Sequence, residues 1–330
     1  MLEHGGRLRA AAQRHGIPLA DWLDLSTGLA PYAWPLPAIP ARAWMRLPEP
    51  DDELEQAAAR YYGGPVPLAV AGSQAAIQGL PRLRGRSRVG VLAPCYAEHA
   101  AAWQREGHHV VELQAETVEA ELDGLDVLLL VNPNNPTGRL LAPARLLDWH
   151  RRLAARGGWL VVDEAFVDTC PDHSLVGHAD RPGLVVLRSF GKFFGLAGAR
   201  LGFVFASADL RARLADLLGP WTVAGPTRAL ATPILDDRDG QQRQRQRLAF
   251  DGARLAALLE RHGLAPDGGC ALFQWRRDPA AAVLHDYLAR RGILVRLFET
   301  PASLRIGLPP DEAGWQRLND ALRTWNEDTP

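Results

Sequence analysis

Short, wholly apolar runs recur along the middle of the chain, and they limit the fold more than any other feature. Val127-Leu128-Leu129-Leu130-Val131, Trp159-Leu160-Val161-Val162 and Leu184-Val185-Val186-Leu187 contain no polar residue. Such runs are too short for buried helices, and a strand without alternation is one covered on both faces. Residues 67–71, 88–92, 109–113 and 201–205 read as further strands. Helical stretches fall among them at 52–62, 73–83, 144–155 and 208–218. Strands alternating with helices predict an α/β fold whose large domain is a mostly parallel sheet.

The character changes after about residue 235. A long helix over 241–262, a strand over 271–276, a helix over 279–290, short strands at 293–297 and 303–307, and a last helix over 311–325 predict a smaller α+β domain. Residues 1–40, with Pro31, Pro35, Pro37 and Pro40, read as an arm. The expected organisation is an arm over 1–40, a large domain over 41–235 and a small domain over 236–330. The chain's 330 residues, 47% of them hydrophobic, suffice for both cores. A net charge of -1 provides no field to draw in nucleic acid or an anionic membrane. The Gln241–Arg247 run alternates glutamine with arginine and lacks aromatics, as a solvated helix face does. Cys95, Cys170 and Cys270 are too scattered for a disulfide framework or a metal pair. No apolar leader and no membrane-length run is visible, so the expected location is the cytoplasm.

Chemistry concentrates in the segment Ser189-Phe190-Gly191-Lys192-Phe193-Phe194-Gly195-Leu196-Ala197-Gly198-Ala199-Arg200. A lysine among small and apolar residues is pushed toward its neutral amine, the form that attacks a carbonyl. Ser189 and Arg200 can hold a phosphate beside it. An aldehyde partner for the lysine and a phosphate for the grip together point to pyridoxal 5'-phosphate. A nucleotide P-loop is excluded, because Phe193 follows the lysine and Val186 stands where the first glycine belongs.

Four strand ends supply matching groups, and ligands of open α/β sheets bind at such ends. Residues 127–131 lead to Asn132-Pro133-Asn134-Asn135-Pro136-Thr137-Gly138, and residues 159–162 to Asp163-Glu164-Ala165-Phe166. A carboxylate at Asp163 can keep a pyridine nitrogen protonated, and an amide at Asn135 can meet the ring hydroxyl. The backbone of Ser73, Gln74 and Ala75 offers N–H groups to the phosphate. Tyr96, after the strand at 88–92, can stack on the ring. Asp163-Glu164 also resembles the acidic pair of metal-dependent ATPases, but that reading needs an upstream P-loop. No metal is expected.

Asn135-Pro136-Thr137-Gly138, Asp163-Glu164-Ala165-Phe166, Ser189 to Lys192 and Arg200 together make the chain resemble the aspartate-aminotransferase-like, fold type I family of pyridoxal-phosphate enzymes, over nearly its whole length. The resemblance implies that Lys192 binds the cofactor aldehyde and Asp163 its ring nitrogen. It gives Asn135 the ring oxygen, Tyr96 the ring face, and Ser189, Arg200 and Ser73–Ala75 the phosphate. Within the family, His4-Gly5-Gly6, Leu23-Asp24-Leu25-Ser26 and Phe166 resemble the branch that decarboxylates phosphorylated threonine for cobalamin synthesis. The neighbouring branch transaminates histidinol phosphate with 2-oxoglutarate. The resemblance assigns the substrate phosphate to His4 and Arg296 and its carboxylate to Arg305, with Thr27 and Asn135 beside them. It also implies a homodimer. The chain departs from the family's common pattern at Phe166, where transaminases carry tyrosine, at Leu47 before Pro48, and at Gly28 and Ala30, where that branch commonly has amides.

Overall fold

The computed structural model describes residues 4–328. By contacts the chain forms two units: residues 33–135 with 140–244, and residues 1–32 with 136–139 and 245–330.

The larger unit is built on a seven-stranded sheet. In spatial order its strands are Leu68–Val70, Gly202–Phe205, Leu184–Ser189, Trp159–Asp163, Val127–Val131, Arg88–Leu92 and His109–Leu113. The last five run parallel. Gly202–Phe205 is antiparallel to both of its neighbours. Every residue of Val127–Val131 and Trp159–Asp163 is buried, as unbroken apolar runs require. Val89, Val91, Val127, Leu129, Val161, Val185, Leu187 and Val204 form one core layer with Ile77, Leu80 and Trp103. The register pairs Val131 with Asp163 and Asp163 with Leu187. Asp163 therefore stands level with the last apolar residue of each neighbouring strand, one position before Asn132 and Arg188.

Departures from the expected elements have local causes. The helix expected over 73–83 ends at Gly79 and continues as a 3₁₀ turn over Leu80–Leu83, because Pro81 has no N–H to donate. Helix Glu98–Arg105 and helix Gly225–Asp236 were not expected; the second is masked in sequence by Pro226 and Pro233.

The smaller unit carries a four-stranded sheet in the order Arg296–Glu299, Ala302–Gly307, Phe273–Arg277, Gly268–Cys270, antiparallel throughout. Gly268–Cys270 went unread because glycines disguise a strand. The strand expected over 293–297 divides at Val295. Ile293–Leu294 pairs in parallel with Leu23–Asp24, whereas Arg296–Glu299 joins the larger sheet of this unit. No helix among the described residues is long and apolar enough to cross a membrane.

Candidate active site

Most residues expected to hold the cofactor lie in the larger unit, at the carboxyl ends of its parallel strands. Asp163 ends its strand 4% exposed. Its Oδ2 lies 2.9 Å from His99 Nε2, and its Oδ1 accepts from the Ala165 N–H at 3.0 Å. His99 is 1% exposed, and its Nδ1 has no hydrogen-bond partner. Tyr96 stands edge-on to His99 with ring centroids 5.9 Å apart, and its hydroxyl donates to Gln74 Oε1 at 3.3 Å. Burial, then Glu98 and Asp163, push the Tyr96 phenol up to about 12, so it remains a donor at neutral pH.

The phosphate-grip residues come together by backbone packing. Ser189 pairs with Gly202 across the strands. A Cβ at Gly202 would lie 2.5 Å from the Ser73 nitrogen, so only glycine lets the start of helix Ser73–Gly79 approach so closely. A Cβ at Gly72 would lie 2.8 Å from Arg200 Nη2. Gly72 itself has φ +72°, which glycine adopts readily. Arg200, at φ 51°, ends the turn that follows Lys192. Gly202 thus brings Ser189 and Ser73 together and Gly72 brings in Arg200, with Gln74 and Ala75 in the next positions of the helix.

Lys192 sits in the short helix Phe190–Phe193, half-buried, with Nζ 5.8 Å from the centre of the buried Phe166 ring. Asn135 is half-buried in the loop that Asn132 secures: the Asn132 side chain bonds Leu141 in both directions, at 2.8 and 3.2 Å.

Behind this face lies a buried charge cluster that sequence reasoning missed. Arg188 Nη1 meets Glu164 Oε2 at 3.1 Å, and its Nη2 meets Asp168 Oδ1 at 2.9 Å. Glu164 also accepts from Ser174 Oγ and the Leu175 N–H, each at 2.6 Å, and Asp168 from Tyr61 Oη at 2.7 Å. Burial raises the Glu164 pKa against the lowering effect of Arg188. Burial likewise opposes the Arg188 charge, yet Asp168 and Glu164 leave its pKa raised. Strand alternation sends Asp163 and Glu164 to opposite faces, and the same holds for Arg188 and Ser189. Glu164 therefore serves an ion pair rather than a metal, and the described residues contain no metal-binding cluster.

The smaller unit collects the residues expected at the substrate. Arg296 and Arg305 are direct partners across antiparallel strands. Arg305 is 7% exposed and donates from Nη2 to the Ser26 carbonyl at 2.8 Å. Burial, then the adjacent Arg296, lowers its pKa. Segment 25–27 is tied to the same strand, since Gly307 N–H donates to Leu25 O at 2.7 Å and Gly307 packs against the Thr27 carbonyl. The Thr27 methyl faces Gly6, two residues after His4.

Comparison with known proteins shows the family. The family model described as aminotransferase class I and II matches residues 36–322. The chain belongs to this family. Among class I and II relatives, a threonine-phosphate decarboxylase of Pseudomonas aeruginosa is 64% identical over 327 residues, covering 99% of both chains. A threonine-phosphate decarboxylase of a Sinorhizobium species is 46% identical, covering 97% of both chains. The fold is also that of histidinol-phosphate aminotransferase from Sinorhizobium meliloti, solved in complex with pyridoxal-5'-phosphate. The TM-score is 0.85 at 21% identity, over 100% of this chain and 96% of that one.

Two signals in the sequence point into this class I and II site and were passed over. Lys192 is the only lysine of the chain; the other 36 of its 37 basic residues are arginines. A group that must react through a primary amine thus has one side chain available. His99 follows Tyr96 by three residues, a spacing that sets both on one side of a helical turn.

Proposed function

We propose that this protein is a pyridoxal-phosphate-dependent enzyme that decarboxylates L-threonine O-3-phosphate to (R)-1-aminopropan-2-yl phosphate, a step of cobalamin synthesis. The observation that carries the reading is 64% identity over 99% of the chain to a threonine-phosphate decarboxylase. The site's donor set fits the cofactor: a lone lysine, a buried carboxylate backed by histidine, and a glycine-lined space beside Arg200 that a single Cβ would fill.

In this reading Lys192 holds the cofactor by its aldehyde, and Ser189, Arg200 and the Ser73–Ala75 backbone hold its phosphate. Tyr96 covers one ring face, and Asn135 meets the ring oxygen. Asp163 holds the ring-nitrogen proton, fixed in place by His99 and by the Ala165 N–H. When bound, pyridoxal phosphate supplies an electron sink for the pair left behind as CO₂ departs. Phe166 offers the ring oxygen no hydroxyl, unlike a tyrosine there.

Substrate handling falls to His4 and Arg296 at the phosphate and Arg305 at the carboxylate, with Thr27 beside them. Charge-assisted hydrogen bonds to both ends of a short molecule fix its torsion, and the torsion decides which Cα bond is weakened. Once the C–COO⁻ bond breaks, Lys192 Nζ delivers the proton that takes its place at Cα.

The reading includes a homodimer in the cytoplasm. Leu36, Trp44, Met45 and Leu47 are 63–83% exposed within twelve residues of chain, an apolar stretch suited to a second copy. Cys95, Cys170 and Cys270 form no disulfide. Sedimentation velocity of the holoenzyme should give twice the 36.1 kDa chain mass; a monomer removes the dimer from the proposal.

The deciding assay supplies cofactor-loaded protein with O-phospho-L-threonine and no keto acid. Equal amounts of CO₂ and aminopropanol phosphate over many turnovers support the decarboxylase. Absence of CO₂, with amino transfer from histidinol phosphate to 2-oxoglutarate, would replace it with the aminotransferase.

A further inference from the structure

One side chain ties the start of the chain to the substrate-binding strand within the smaller unit. Ser26 is 2% exposed. Its hydroxyl accepts from the Gly6 N–H at 2.7 Å and donates to Asp24 Oδ1 at 2.6 Å. Its N–H donates to the same Asp24 oxygen at 2.9 Å. Its carbonyl accepts from Arg305 Nη2 at 2.8 Å and lies against Gly5, which has no room for a Cβ. The following helix, Leu8–His15, buries none of its residues, and Gly6 sits at φ +78°, which a residue with a side chain adopts at a cost.

We propose that Ser26 is a positioning residue for the substrate's phosphate. Its hydroxyl clasps the His4–Gly6 arm beside the carbonyl that anchors Arg305, so the groups for the two anionic ends of the substrate are held at a fixed spacing. The proposal rests on the assignment of His4 to the phosphate and Arg305 to the carboxylate. The two tasks of Ser26 use different atoms. Its Oγ serves the arm, and its main-chain oxygen serves Arg305. Ser26→Ala deletes the first and keeps the second.

The test compares holoenzyme of wild type and Ser26→Ala. It measures kcat and KM for O-phospho-L-threonine, Ki for unphosphorylated L-threonine as competitive inhibitor, and hydrogen exchange of the Gly6 amide. The variant should raise KM about tenfold, equivalent to about 1.4 kcal/mol and within the range for a lost buried hydrogen bond. The Ki of L-threonine should stay at the wild-type value, because Arg305 keeps its anchor. Gly6 exchange should accelerate, and Ser26→Thr, which restores a hydroxyl on the same carbon, should return KM and exchange toward wild type. An unchanged KM overturns the proposal, as does unchanged Gly6 exchange. KM and Ki rising in step would mean that Ser26 acts through Arg305 or through the fold, and would overturn it too. A wild type that binds threonine and phosphothreonine equally well would instead defeat the phosphate assignment on which the proposal stands.

Discussion

Arg188→Met tests what the buried charge cluster does. The arginine is 3% exposed and neutralises Glu164 and Asp168, which are 0% and 2% exposed. Methionine keeps much of the stem volume but removes the cation. Both carboxylates keep hydrogen bonds, from Ser174 and Leu175 and from Tyr61, so the loss is mainly electrostatic. Removing one partner of a buried ion pair costs about 3–5 kcal/mol. For a cooperative unit of about 200 residues, each kcal/mol lowers the melting temperature by about 2–4 °C, giving a fall of roughly 6–20 °C.

The pH dependence gives the sharper check. Burial already raises the Glu164 pKa above the usual 4.5, and Arg188 is the main influence lowering it. The variant loses that influence, so the folded-state pKa rises further above the unfolded value. A carboxyl raised in this way stabilises the fold below its unfolded pKa and loses that contribution as pH climbs through the folded value. The deficit relative to wild type should therefore be smaller at pH 5 than at pH 8. Thermal unfolding of both proteins at the two pH values measures it. The exposed pair Arg60–Asp236, at the same 2.9 Å as Arg188–Asp168, is the control: Arg60→Met should leave the midpoint unchanged within error. A variant as stable as wild type at pH 8, or a deficit that widens on acidification, refutes the reasoning.

Because Lys192 is the only lysine, borohydride reduction of the cofactor-loaded protein should label residue 192 alone among side chains, and Lys192→Ala should take up no side-chain label; a labelled variant would remove Lys192 from its role. His99→Leu should strip Asp163 of its buried partner, raise the cofactor dissociation constant about tenfold and lower kcat by more than KM changes; cofactor affinity equal to wild type by titration would leave His99 a packing residue.

How far the sequence could be read followed from how each element is stabilised. Val127–Val131 and Trp159–Asp163 were legible because strands covered on both faces need uninterrupted apolar residues, and no other short element does. The positions of Asp163 and Ser189 were legible because each closes a strand that begins as such a run. Leu23–Asp24 was not, since a two-residue strand has no periodicity and exists only through Ile293–Leu294. His99 and the Arg188 cluster were hidden for a related reason. Their contacts join groups 10 to 107 residues distant in the chain, which local pattern does not reveal. Lys192 as sole lysine was obscured by counting lysine and arginine together, although only one of them forms an imine.

Arg296 and Arg305 set two like charges directly opposite each other. Like charges directly opposite in an antiparallel pair oppose folding, and Arg305 is also buried, with its pKa lowered by burial and by Arg296. In the proposed function a substrate with a phosphate and a carboxylate would bring two anions to this pair. Stability and binding should then respond differently to Arg296→Met, which keeps an apolar stem but removes the guanidinium that lies 5.0 Å from the centre of the Phe298 ring. Without substrate the variant should melt near the wild-type temperature, because the up to about 1 kcal/mol of cross-strand repulsion relieved offsets the lost contact with Phe298. Its KM for O-phospho-L-threonine should rise at least tenfold, in line with about 1.5–3 kcal/mol for a hydrogen bond to a charged group, and substrate should shift its melting temperature less than it shifts wild type. If the unliganded variant instead melts well below wild type while KM holds, Arg296 is a structural residue, and the phosphate must be bound elsewhere.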